Sequence, residues 1–299
     1  MDDSQAKRIS KLVKPLRVAP GAKVHLARDF DPRYKAGFVQ KKDGDVLLQA
    51  GIALLADYQA RLAAQGRHGV LLCLQGIDAS GKDGTIRHVM SGVNPQGVRV
   101  SSFKVPSAEE LQHDYLWRYS RRLPARGQIG IFNRSHYEEV LVVRVHQENL
   151  DREEIPAESR GEALWDRRYG EINDWERYLT QNGIKIVKIF LNLSKAEQRA
   201  RFLKRIDRPE KNWKFSAADI RERERWDDYQ QAFAQMLSAT STPWAPWYVI
   251  PADRKWFARV CAAAVLVHTL MELDPQYPTV SSDLQQGLRA ARDELERET

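Results

Sequence analysis

Residues 76–82 read Gly-Ile-Asp-Ala-Ser-Gly-Lys, the spacing G-x-x-x-x-G-K, and follow directly on a short apolar run, Gly69–Gln75. Glycines at such a turn let the backbone fold around an anion, so that amide N–H groups and a helix N-terminus face negative charge while a lysine neutralises it. A plain strand–turn–helix accounts for Gly76 and Gly84 but not for a lysine at that exit. Gly76, Ala79, Ser80, Gly81, Lys82, Asp83, Gly84 and Thr85 are therefore expected to surround phosphate. Asp83 stands where the usual loop of this kind carries the Ser or Thr hydroxyl that holds magnesium. A divalent cation bridging phosphates takes anionic oxygen ligands, which makes Asp78 the expected replacement. Its alternative use is to cap the turn, and Thr85 is a lesser source of a hydroxyl.

A second polar segment, Phe132-Asn-Arg-Ser-His-Tyr-Glu138, follows the apolar run 128–132. If both runs are parallel strands, both segments emerge at one sheet edge. The rigid fork of Arg134 suits two oxygens of a transferring phosphoryl group. Glu138 either completes metal coordination with Asp78 or orients a nucleotide, against the ordinary use of an acid at a helix N-terminus. Lys104, Arg118, Arg121 and Arg122 extend positive charge away from the loop, or stand as solvated surface cations. The densest basic stretch holds Arg199, Arg201, Lys204, Arg205, Arg208, Lys211 and Lys214 against only Asp207 and Glu210. No further His or Cys completes a zinc set around His136 and His146, so both are read as structural.

The elements that must position these groups alternate. Periodicity predicts an irregular arm over 1–43, a helix over 45–64, a buried strand over 69–75 and a helix from Thr85 to about Gly92. A strand over 99–104 precedes a helix that opens with a Ser107/Glu110 capping box and stops before Pro124. A strand over 128–132, a helical stretch over 136–145, a helix over 171–181 and a strand over 184–191 follow. Ser194 with Glu197 and Ser216 with Asp219 cap two more helices, the second running to about Leu237. A last strand, 247–250, leads to an apolar helix, 255–273, and a charged, exposed one after Asp283. Strands alternating with helices imply a parallel sheet covered on both faces, with ligands beyond the carboxyl ends of its strands.

Composition narrows the partners. The 299 residues suit one large α/β domain, and 42% hydrophobic with 29% charged residues argues against disorder. A net charge of +7 favours polyanions, whether phosphate polymer, nucleic acid or anionic lipid. Cys73 and Cys261 lie in apolar runs and read as buried free thiols, which suits a cytoplasmic protein. Neither a signal peptide nor a membrane span is expected.

Together with Ser102–Pro106, Leu123–Gly127 and Trp244–Trp247, the loops at 76–84 and 132–138 closely resemble the polyphosphate kinase 2 family, from about Gly37 to Pro278. Asn133, where that family often has aspartate, and Glu138 make the chain most similar to class III. The resemblance implies a P-loop kinase-like three-layer α/β/α fold with a central parallel sheet and a helical lid at about 199–220. It divides the chain into an N-terminal arm, 1–43, a core, 44–280, and a charged C-terminal helix, 281–299. It further implies transfer of phosphoryl groups from inorganic polyphosphate to AMP and ADP, forming ADP and ATP, reversibly and with Mg2+, for which Mn2+ can substitute. Asp78, Lys82, Arg134 and Glu138 would be catalytic, with Asp78 and Glu138 on the metal and Asn133, Arg134 and Glu138 at the nucleotide. Lys104, Arg118, Arg122, Arg208 and Lys211 would contact polyphosphate, the last two from the lid. A homo-oligomer, a tetramer in the family pattern, is implied, with neither nucleic acid nor membrane as partner. The competing readings are an ATP-dependent nucleoside or nucleotide kinase and a basic nucleic-acid-binding module.

Overall fold

The computed structural model describes residues 3–298 apart from 39, 162 and 214. Five strands form one sheet, β1 (Gly69–Gln75), β2 (Val98–Ser102), β3 (Ile129–Asn133), β4 (Ile184–Asn192) and β5 (Trp247–Pro251). All pair in parallel, in the order β2-β3-β1-β4-β5. The chain crosses from one side of β1 to the other between β3 and β4, so the carboxyl end of β1 lies at the point where strand order reverses. Leu74 pairs with Asn133, which brings the loops after β1 and β3 out at the same level.

Alternate residues of the buried strands face opposite layers. Val70, Leu72, Leu74, Ile129, Ile131, Val187 and Ile189 join a large core with the helices Lys41–Gln65 and Lys255–Leu273. Leu71, Cys73, Phe132 and Ile186 pack on the other side with Phe103, Tyr119 and Leu179. This is the expected α/β/α arrangement. In chain order the longer helices are α1 (Asp3–Val13), α2 (Lys41–Gln65), α3 (Lys82–Val89), α4 (Leu164–Gln181), α5 (Lys195–Ile206), α6 (Ala217–Glu224), α7 (Trp226–Thr240), α8 (Lys255–Leu273) and α9 (Ser282–Arg297). By length and composition α8 could cross a membrane, but here it is a core helix, buried from Phe257 to Leu270 along most of its length.

Four expectations are corrected. The arm is not irregular: α1 leads into Leu16 and Val18, which are buried, and the Val18 N–H donates to the Trp247 carbonyl at 2.9 Å. The helix predicted after Ser107 keeps its capping box but breaks into single turns, Ala108–Leu111 and Trp117–Ser120, because the Asp114 carboxylate takes the Leu116 N–H at 3.0 Å. α4 begins at Leu164, earlier than predicted, since Arg168 is buried and donates to the Glu139 carbonyl at 2.9 Å; a charged residue there concealed an inward face. The helix from Ser216 is interrupted at Arg225, after which Trp226 and Tyr229 turn into the core.

Beneath the second loop lies a buried ionic network. Lys188, on central strand β4, donates to Glu176 Oε2 at 2.6 Å, to Tyr137 Oη at 2.8 Å and to the Thr240 carbonyl at 2.6 Å. All three ammonium donors are thereby used. Burial alone would raise the Glu176 carboxyl, but the Lys188 ammonium and His136 outweigh it and hold it below its ordinary value. Tyr137 donates to Glu176 Oε1 at 2.7 Å, so the network ties the segment after Arg134 to β4 and α4. Removing one partner of a buried pair strands the other charge. Lys188→Met is therefore expected to lower unfolding free energy by about 3–5 kcal/mol, measured by urea denaturation; a loss under about 1 kcal/mol would show that the pair adds little.

Candidate active site

β1 delivers the chain into the loop at Gly76, whose φ is +154°. A Cβ there would stand 2.7 Å from the Ser80 hydroxyl and 3.0 Å from the Leu191 carbonyl oxygen, so the turn requires glycine. The loop continues through Ala79 at φ +62° and Gly81 at φ +107°, then enters α3 at Lys82. The backbone N–H groups of Asp78, Ala79, Gly81, Lys82 and Asp83 meet no acceptor among the described residues. The Ser80 hydroxyl is buried and equally without a partner. With the positive end of α3 behind them, these donors suit an anion such as phosphate.

The loop's carbonyls are held from the opposite side. Gln198 Nε2 donates to the Asp78 carbonyl at 3.0 Å, and Arg201 Nη1 to those of Ala79 and Ser80, both at 2.9 Å. Arg201 also donates to the Ala252 carbonyl at 2.5 Å. Sequence reading missed Gln198 and took Arg201 as one more lid cation. Spacing could have flagged them, since residues three apart on a helix share a face. α6 rests on the same device: Arg223 donates to Gln198 Oε1 at 2.7 Å, while Glu222 Oε2 accepts from Tyr229 at 2.7 Å and meets His146 Nε2 at 3.0 Å.

Lys82 Nζ curls over the loop, 2.5 Å from the Gly76 carbonyl. Burial and then Arg134 pull its pKa down to about 8, against the opposing influence of Asp78, Glu138 and Asp83. Across from it Arg134, at φ +63°, spreads its fork between two carboxylates, Asp78 Oδ1 at 2.8 Å and Glu138 Oε2 at 3.1 Å. A non-glycine residue in that backbone region is strained and marks a position fixed by its surroundings. The expected catalytic set, Asp78, Lys82, Arg134 and Glu138, is thus brought together. Asn133 instead donates to Asp83 Oδ1 at 2.8 Å.

The outlying cations divide. Arg118 is not on a helix surface: it is 7% exposed, donates to the Lys104 carbonyl at 2.8 Å and stacks over Phe103 and Tyr119. Lys104, Arg122, Arg208 and Lys211 are exposed, whereas Lys214 lies outside the described residues. Thr85 is buried in the first turn of α3. Lys255, which sequence reading passed over, belongs with the cations. Partial burial and then Arg201, with lesser contributions from Lys204 and Lys211, lower its pKa to about 8.

Comparison with known proteins assigns this architecture. The family described as Polyphosphate kinase 2 (PPK2) matches residues 39–278. The chain belongs to the polyphosphate kinase 2 family. Among its relatives, an ADP-polyphosphate phosphotransferase of Rhodopseudomonas palustris is 50% identical over 94% of this chain and 98% of its own. An AMP/ADP-polyphosphate phosphotransferase of Meiothermus ruber is 46% identical over 89% and 96%. The crystal structure of a polyphosphate kinase 2 from Arthrobacter aurescens TC1 superposes with a TM-score of 0.84 at 39% identity, covering 94% of this chain and 96% of that one. As a member of the polyphosphate kinase 2 family, the chain is a phosphotransferase with a P-loop kinase-like fold.

Lys82 supplies a pH test. Below pH 8 the free chain carries the ammonium; above it the amine is neutral, and phosphate binding must then take up a proton. The dissociation constant for tripolyphosphate, measured by calorimetry, is expected to rise above about pH 8 by up to about tenfold per unit. Lys82→Arg, which keeps its charge, should flatten that rise, and an equally steep rise in that variant would clear Lys82 of the role.

Proposed function

We propose that this chain transfers the terminal phosphoryl group of inorganic polyphosphate to AMP and to ADP, forming ADP and ATP reversibly, with Mg2+ or, in its place, Mn2+. The observation that carries this reading is the meeting of Lys82 and the forked Arg134 over a loop whose N–H groups lack acceptors. The Meiothermus ruber relative, named for both acceptors, supports the substrate range.

The chemistry follows from the charges. A nucleotide phosphate is already an anionic nucleophile near neutral pH, so catalysis needs positioning and charge neutralisation more than a general base. Lys82 and the loop N–H groups hold the donor chain, and Arg134 draws the two reacting phosphates into line while neutralising their oxygens. Arg208 and Lys211, with Lys104 and Arg122, hold the polymer further out, and closure of the lid excludes water. Asn133, Arg134 and Glu138 border the nucleotide. We assign its base to a cavity of about 210 Å³ lined by Tyr115, Arg118, Glu139 and Arg168, Glu139 being the next residue in the chain after Glu138.

The family generally requires a divalent metal, and the donor set fits one. Asp78 and Glu138 each give Arg134 one oxygen and keep the other, which suits Mg2+, a cation held by one or two carboxylates plus phosphates and water. When bound, the metal would neutralise phosphate oxygens. We further propose a cytoplasmic homo-oligomer, a tetramer, with neither nucleic acid nor membrane as partner; Leu284, Leu288 and Leu295, exposed on one helix, support assembly.

The test is an assay with polyphosphate, Mg2+ and either AMP or ADP as sole acceptor, ATP being absent at the start. ATP arising from both is expected. ATP from ADP alone would restrict the acceptor, and no product from either would overturn the proposal. Arg208→Ala is expected to raise KM for polyphosphate several-fold with little change in KM for ADP, and the reverse pattern would move Arg208 to the nucleotide.

A further inference from the structure

Two departures from usual phosphate-loop chemistry face each other across the site. In the usual arrangement the residue after the loop lysine is Ser or Thr, the second strand ends in Asp, and hydroxyl and carboxylate together serve the metal. Here the residue after Lys82 is Asp83, and β3 ends in Asn133. The two side chains meet, Asn133 Nδ2 donating to Asp83 Oδ1 at 2.8 Å across 50 residues of sequence. An amide N–H can only donate and an ionised carboxylate can only accept, so the direction of this bond is fixed.

A neutral donor and a carboxylate therefore join the two loops, as a hydroxyl and a carboxylate usually do. The negative charge has moved from the end of β3 to the first turn of α3. We infer that Asp83 and Asn133 have exchanged roles: Asp83 presents the carboxylate to the divalent cation or to its bound water, and Asn133 is the neutral partner that orients it. This rests on the metal-dependent reading above.

Three observations agree. Asp83 is exposed at the rim of the loop and has no ion-pair partner within 4.0 Å among the described residues. Asn133 occupies only Oδ1, leaving Oδ2 for another partner. Asp78, Glu138 and Asp83 each act on the Lys82 ammonium as negative charges, so Asp83 belongs to the electrostatics of the loop. No three His, Cys, Asp or Glu side chains among the described residues are grouped so as to hold a metal ion by themselves, so protein ligands here would have to be completed by water and phosphate. An open set suits a cation that keeps several waters and takes phosphate oxygens. A plain acid at a helix N-terminus would also favour α3, but it would not require an amide donor from the neighbouring strand.

The test exchanges the two groups without changing their shapes. Mn2+ binding to the chain with tripolyphosphate, above that of tripolyphosphate alone, is followed by electron paramagnetic resonance, and thermal melting verifies folding. Asp83→Asn is expected to weaken Mn2+ binding about tenfold or more. The double variant Asp83→Asn/Asn133→Asp, which returns the carboxylate to the strand, is expected to recover to within about threefold of the unaltered chain. Unchanged affinity in Asp83→Asn would overturn the inference, as would a loss that the double variant leaves unrepaired. No protein-bound Mn2+ in the unaltered chain would remove the metal reading itself, and the exchange with it.

Discussion

A loop that turns its N–H groups toward an anion must turn its carbonyls away, and those carbonyls need donors of their own. Here Gln198 and Arg201 supply donors to three consecutive carbonyls, those of Asp78, Ala79 and Ser80. The rest of the site is built on that contact. It fixes α5 directly behind the loop, and Asp253, following β5, fixes the start of α5 by accepting from Ser194 N and Oγ, each at 2.8 Å. Because Gln198 of α5 also accepts from Arg223, α6 and the loop share one support.

Electrostatics divides the molecule into a solved interior and an unsolved surface. The buried Lys188 ammonium has every donor satisfied, and it anchors the segment that carries Arg134 and Glu138. At the loop, by contrast, burial and neighbouring cations depress both Lys82 and Lys255 to about 8. Cations crowded together in this way are destabilised until an anion joins them. A chain of phosphates carries the charge that this surface lacks.

The phosphate loop was legible in the sequence because its determinants are local: a glycine-dependent turn, a lysine and a buried strand lie within fourteen residues, 69–82. The parallel sheet was legible for a similar reason, through short apolar runs between helical periods. Direction was not legible. Arg118 and Arg201 read as cations available to a polymer, yet one is stacked on Phe103 and Tyr119 and the other holds loop carbonyls. Arg168 concealed the start of α4 in the same manner. Gln198, an uncharged residue on a basic helix, was marked only by its spacing from Arg201, and the bond between Asp83 and Asn133 spans a separation that no local pattern crosses. Charge can be counted along a chain, but its partners are set by the fold.

In the proposed function this loop, with Lys82 and Arg134, seats the phosphate chain. A crystal structure with Mg2+ and tripolyphosphate tests it most directly. Phosphate oxygens are expected on the N–H groups of residues 78, 79 and 81–83, with Lys82 Nζ drawn off the Gly76 carbonyl onto phosphate and Arg134 in contact with the bound chain. Tripolyphosphate bound elsewhere, with Lys82 still on the Gly76 carbonyl and Arg134 still closed between Asp78 and Glu138, would contradict it.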